Sequence, residues 1–112
     1  MKHILRFRAG DKDIWQAIKN GKKKVETRAG TVKYQKVAVG DELEFVCVGQ
    51  KLIKKITKVE HFKSVEALCK KYRPSQINPN TKTEAELIKM YSKFSGYTEK
   101  IKKYGLLAWT LK

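Results

Sequence analysis

Apolar and polar positions alternate in short runs along most of this chain. "HILRFRA" (3–9) sets Leu5 and Phe7 against Arg6 and Arg8, the period-two pattern of a half-buried strand. "DKDIWQAIKNG" (11–21) switches to helical spacing, with Ile14, Ala17 and Ile18 as its stripe. Asp11 or Asp13 offers an N-cap, and Asn20-Gly21 a stop. "KVETR" (24–28) predicts a strand and "RAGTVKY" (28–34) a turn or loop. "VGDELEFVCV" (39–48) predicts a Gly-Asp turn and a strand with Leu43, Phe45 and Cys47 on one face. "QKLIKKITKVEHF" (50–62) is rich in β-branched residues but alternates poorly, which predicts a long, bulged strand.

The second half is more helical. Ser64 caps "SVEALCKKY" (64–72), whose buried side is Val65, Leu68 and Cys69. "RPSQINPNTK" (73–82) holds both prolines and predicts a loop. Thr83 with Glu86 forms a capping box for a helix over 83–95, with Leu87, Met90 or Tyr91, and Phe94 inward and Gly96 at its end. "YTEKIKKYG" (97–105) is polar and compatible with a helix, and "LLAWTL" (106–111) closes the chain as a strand with Leu107, Trp109 and Leu111 inward. Five or so strands among three helices point to one α+β domain over residues 1–112. A small, strongly curved mixed barrel of about five to six strands with peripheral helices fits this order.

Charge changes the picture more than length does. The 26 Lys and Arg against 11 Asp and Glu give a formal +15. Folding does not require such an excess, and self-repulsion opposes it. An anionic partner would account for it, and so would a lysine-rich proteome, because 22 of the cations are lysines and 4 are arginines. Cys47 and Cys69 lie in apolar patterns without metal-ligand spacing, and His3 and His61 are far apart, so reduced thiols and no metal site are expected. No apolar run approaches membrane length and no cofactor motif appears. The expectation is a cytoplasmic, monomeric protein without cofactor.

The segment "GKKKVETR" (21–28) carries the candidate chemistry. Gly21, Lys23, Glu26 and Arg28 match the G-x-K-x-x-E-x-R signature of the ASCH (activating signal cointegrator homology) domain, and the chain resembles this PUA-like β-barrel family along its whole length. A strand and a helix ending in Gly21 precede the signature, "VGDELEF" follows it, and "ITKVEHFKSVEALCKKY" and "YGLLAWTLK" resemble the family's strand-then-helix and closing strand. The resemblance implies a barrel cleft lined by the signature residues and a role around RNA or a modified nucleotide or nucleoside. Some small bacterial members are amidohydrolases that deacylate N(4)-acylcytidine, and others have been associated with ribonuclease activity. Transferred residue by residue, the amidohydrolase lysine is Lys23, its threonine position holds Glu26, and its glutamate falls near Asn80. Two of the three positions therefore depart from that branch.

The residues themselves leave two readings. Lys22, Lys24, Glu26 and Arg28 could be an exposed ion-pair ladder on one strand face. Alternatively Lys23, Glu26 and Arg28 line a cleft, with Lys24 and Tyr34 as further ligand-binding candidates and Lys23, Glu26 and Thr27 as catalytic candidates if the protein is an enzyme. A protein-interaction module using the basic face is a third function class. Lys33, Lys36, Lys51, Lys54, Lys55 and Lys58 could add a phosphate-binding rim. Strict alternation would put Lys23 opposite Glu26. The cleft reading therefore predicts that Gly21 takes a left-handed turn, that Lys23 precedes regular pleating and curls toward Glu26, and that Arg28 stands at the mouth.

Overall fold

The computed structural model describes all 112 residues, Met1–Lys112. In chain order the elements are β1 (Lys2–Phe7), a 3-10 turn (Ala9–Asp11), α1 (Lys12–Lys19), β2 (Val25–Ala29), α2 (Val32–Gln35), β3 (Glu42–Cys47) and β4 (Gln50–Phe62). They continue with α3 (Val65–Cys69), α4 (Pro74–Ile77), α5 (Glu84–Ser92), α6 (Tyr97–Tyr104) and β5 (Leu106–Leu111). The five strands form one sheet in the order β1-β3-β4-β5-β2, with β1 and β3 parallel and the other pairs antiparallel.

The long strand β4 makes the sheet curl. Its first half, Gln50–Lys55, pairs with β3, and its second half, Ile56–Phe62, pairs with β5 across a register shift between Ile56 and Lys58. A bulge there bends the strand and raises its twist. The sheet therefore rolls into a half-barrel whose two edges, β1 and β2, do not pair with each other. This is the curled mixed sheet with peripheral helices that the hydrophobic pattern predicts.

Alternation along β5 divides the apolar residues between two sides. Leu107, Trp109 and Leu111 face the barrel interior with Leu5, Trp15, Ile18, Leu43, Phe45, Cys47 and Ile56. Leu106 and Ala108 face outward with Val25 and Ala29 of β2, under Val65, Leu68, Ile77, Leu87, Tyr91 and Ile101 from the second-half helices. At about 25 cal/mol per Å² of apolar surface, burial on these two sides is the main force holding the sheet curled.

Several local expectations are corrected. The first strand stops at Phe7, and Ala9–Asp11 forms a 3-10 turn instead of continuing it. Asp11 occupies the N-cap of α1 without a capping hydrogen bond; it pairs with Arg8 instead, and Asp13 accepts from the Asn80 amide. The expected loops at 28–34 and 73–82 contain the short helices α2 and α4. The caps at Ser64 and Thr83 form as read, each accepting from a backbone N–H three residues on. Cys47 is buried and Cys69 half-buried, both unpaired.

Candidate functional site

Gly21 begins the site. Asn20 ends α1, and Gly21 follows with φ +82°, a left-handed conformation that glycine adopts without a Cβ clash. The turn is fixed by the Lys22 N–H donating to the Asn20 side chain and the Lys23 N–H donating to the Ala17 carbonyl. Regular pairing of β2 does not start until Val25, so Lys23 is free of the strand's alternation. Its side chain turns inward and is 2% exposed.

There the Lys23 ammonium meets three acceptors. Nζ lies 3.1 Å from Glu26 Oε1 and 2.6 Å from the Ile77 carbonyl, and it also donates to the Val25 carbonyl. Three donors with three acceptors leave this ammonium fully engaged. The Ile77 carbonyl ends α4, so Lys23 ties that short helix to the start of β2. Glu26, whose side chain is 8% exposed, uses its other oxygen to accept from Arg28 Nη2 at 3.2 Å. Arg28 is 24% exposed, and its guanidinium lies over the Phe7 ring at 5.7 Å.

The ionisation of this group follows from its geometry. Burial pulls the Lys23 ammonium below its usual range, with Glu26 working against that fall. Burial also pushes the Glu26 carboxyl up, but the Lys23 and Arg28 charges outweigh it and hold the carboxyl below the usual carboxylate range. For Arg28, burial opposes the charge and Glu26 restores it, leaving the guanidinium above its ordinary value. The cluster is thus a fixed cation–anion–cation arrangement, and a solvated ladder is excluded.

The cluster lies in a cavity of about 430 Å³ at the gap between the two sheet edges. Arg6, Phe7 and Arg8 come from β1 and the residues just after it; Glu26, Thr27 and Arg28 come from β2. Ile77 and Asn78 close one end, and Met90, Tyr91, Phe94, Tyr97 and Lys100 form the helical wall. Tyr91 and Tyr97 stack at 6.0 Å with rings 10° apart, and Arg8 lies over the Phe94 ring at 5.3 Å. The Tyr97 hydroxyl accepts from the Ala29 N–H at 2.9 Å, while the hydroxyls of Thr27 and Tyr91 are hydrogen-bonded to each other. Burial pushes both phenols up.

The structure therefore brings together Lys23, Glu26, Thr27 and Arg28, and leaves two other candidates out of the cavity lining, although Tyr34 stays near enough to Arg28 to support its charge. Lys24 is exposed outside this cleft, in a smaller notch with Lys54 and Lys112. Tyr34 is part of α2 and packs edge-on against Trp109 at 5.7 Å, on the barrel core. Asn80 is exposed and bonded to Asp13, while Asn78 reaches the cleft. Lys33, Lys36, Lys51, Lys54, Lys55 and Lys58 do not line it either. The sequence reading missed Arg6, Arg8, Asn78 and Lys100. A visible signal was available for the first two: three of the chain's four arginines stand in the cleft walls, in a chain otherwise supplied with lysine.

The chain is similar in structure to hypothetical protein PH0355, with a TM-score of 0.86 and 28% identity over 100% of this chain and 98% of that one. It is also similar to the solution structure of protein PF0455 from Pyrococcus furiosus, with a TM-score of 0.80 and 27% identity over 100% and 96% of the two chains. No protein-family model matches the chain, and no curated protein matches it.

Proposed function

We propose that this protein is an ASCH-type domain that recognises RNA, or a modified nucleotide or nucleoside, in the cleft between β1 and β2. The observation that carries the reading is the placement of arginine. A general lysine excess explains a basic surface but not the gathering of Arg6, Arg8 and Arg28 around one aromatic-walled cavity. Arginine's planar fork suits phosphate and base recognition and stacks on rings, as a lysine ammonium does not. Arg28 and Arg8 already lie over the Phe7 and Phe94 rings, so their guanidinium planes and the free face of Tyr97 are the surfaces on which an unpaired base would stack, and a cavity of about 430 Å³ is of ligand-pocket size.

Hydrolysis is the weaker reading of the same residues. A general base works best with a pKa near neutrality, and Glu26 is held below the usual carboxylate range by two cations. Lys23 has no donor left to polarise a substrate carbonyl, and the Thr27 hydroxyl is engaged by Tyr91. The arrangement favours holding a ligand over attacking one.

The test is fluorescence anisotropy with a short, unstructured single-stranded RNA over a salt series. Binding should weaken steeply as salt rises, because phosphate contacts release counterions. An excess of nucleoside monophosphate should displace the RNA if the cleft is the site. Absence of binding at low salt would remove the reading.

A further inference from the structure

Resting on the nucleotide reading, the donors and acceptors of the cleft narrow its ligand further. Nearly every acceptor there is occupied within the protein. Glu26 Oε1 takes Lys23 and the Thr27 N–H at 3.3 Å, and Oε2 takes Arg28. Asn78 Oδ1 takes the Asn80 N–H at 2.8 Å, which fixes the orientation of that amide, and Asp11 takes Arg8 Nε at 3.4 Å. The hydroxyls of Thr27 and Tyr91 hold each other.

The second Asp11 oxygen and the exposed Ser95 hydroxyl remain as acceptors near the rim, but on the inner wall the groups left over are donors. Arg28 uses only Nη2 internally, so Nε and Nη1 remain. Asn78 Nδ2 has only the Met90 thioether, a weak acceptor, at 2.8 Å. The Tyr97 oxygen accepts from Ala29, so its own proton is available to donate. These three side chains are half-buried, whereas Arg6, Arg8 and Lys100 are exposed on the rim.

A pyrimidine nucleotide placed in the cleft is oriented by this gradient. The phosphate belongs with the exposed cations of the rim, which places N1 of the base outward. The substituent on C4, across the ring from N1, then points at the inner donors. We infer that the cleft selects a pyrimidine carrying a carbonyl at C4, a uracil-type ring, over one carrying an amino group there. A 4-amino group would set its own N–H bonds against Arg28 and Asn78, leaving half-buried donors facing donors, whereas the N3–H of a uracil ring can be taken by the Tyr97 oxygen, which keeps a second lone pair.

Uridine and cytidine monophosphates decide this, because they share the ribose and phosphate and differ at the edge in question. Titration calorimetry at fixed salt should give at least about tenfold tighter binding of the uridine form, the scale of one well-formed base contact. Asn78→Asp keeps the acceptor for Asn80 but removes the free donor, and should lower the ratio of the two affinities several-fold with the fold intact by circular dichroism. Equal or tighter binding of cytidine monophosphate, or an unchanged ratio in the Asn78 variant, overturns the inference and leaves the nucleotide reading standing. Binding of neither nucleotide at millimolar concentration overturns the inference, and overturns the nucleotide reading with it if the single-stranded RNA also fails to bind.

Discussion

Replacing Lys23 by methionine should expose how much the buried cluster holds together. Methionine fills similar space but donates no hydrogen bonds. The change strips Glu26 Oε1 of its cation at 3.1 Å and leaves the carbonyls of Ile77 and Val25 without their side-chain donor, all in a region where Lys23 is 2% and Glu26 8% exposed. Removing one partner of a buried pair costs about 3–5 kcal/mol, since the remaining charge stays out of water. Arg28 continues to hold Glu26 Oε2, which places the expected loss near the lower end, about 3 kcal/mol. Domains of this kind have only about 5–15 kcal/mol of stability in all. Urea denaturation followed by tryptophan fluorescence is a suitable assay, because Trp15 and Trp109 are 2% and 0% exposed and sense the core. The double variant Lys23→Met with Glu26→Leu should recover part of the loss, as apolar replacement of a whole buried pair is often neutral. A loss below about 1 kcal/mol for Lys23→Met, the scale of a surface pair, would mean that Lys23 and Glu26 are not a desolvated pair.

Three further outcomes follow from other parts of the structure. Gly105→Ala should destabilise by about 3 kcal/mol or prevent folding, seen as a large fall in melting temperature. Gly105 has φ +74°, and a Cβ there would lie 2.5 Å from the Phe62 carbonyl oxygen and 2.6 Å from His61 Nε2. Acid should weaken the fold as pH falls below about 5: Glu26 and Asp41 have ordinary values of 4.5 and 3.8, both are held lower when folded (Asp41 at about 2 by His3), and their stabilisation is complete above the ordinary values and lost below them. Glu26→Gln should flatten the acid limb of a pH–stability profile; an unchanged limb would contradict the charged pair. Incubation with N(4)-acetylcytidine should release no cytidine by chromatography, whereas turnover abolished in Lys23→Ala would establish the hydrolytic reading instead.

The part of the site that lies within one segment was legible from the sequence. Asn20-Gly21 marks a helix stop, and the consequent phase break accounts for Lys23 and Glu26 meeting although alternation alone separates them. The half-barrel followed from strand patterns because inward residues such as Leu43, Phe45 and Trp109 recur at period two. What the sequence did not reveal depends on contacts across long separations. Arg6 and Arg8 reach the site only because β1 becomes the sheet edge facing β2, a consequence of the curl in β4. Tyrosine gives no local sign of whether it will face a cavity or the core, so the sequence points to Tyr34, beside the motif, while Tyr91 and Tyr97 line the wall. The two prolines of the segment 73–82 read as loop and conceal α4, yet Pro74 at the first helical position and Gln76 accepting from the Arg73 N–H at 2.8 Å are start signals.

If RNA is held in the cleft, as proposed, and not by the overall charge of +15, one cleft arginine must matter more than one arginine elsewhere. Arg6→Ala and Arg73→Ala remove the same charge from exposed positions, and Arg6 lines the cleft while Arg73 does not. The dissociation constant of a short single-stranded RNA, measured by anisotropy at one fixed salt concentration, should rise about fivefold or more for Arg6→Ala and less than about twofold for Arg73→Ala, because a phosphate contact and a remote charge differ in this way. Equal weakening by the two substitutions would mean that RNA is held by charge alone and that the cleft is not its site.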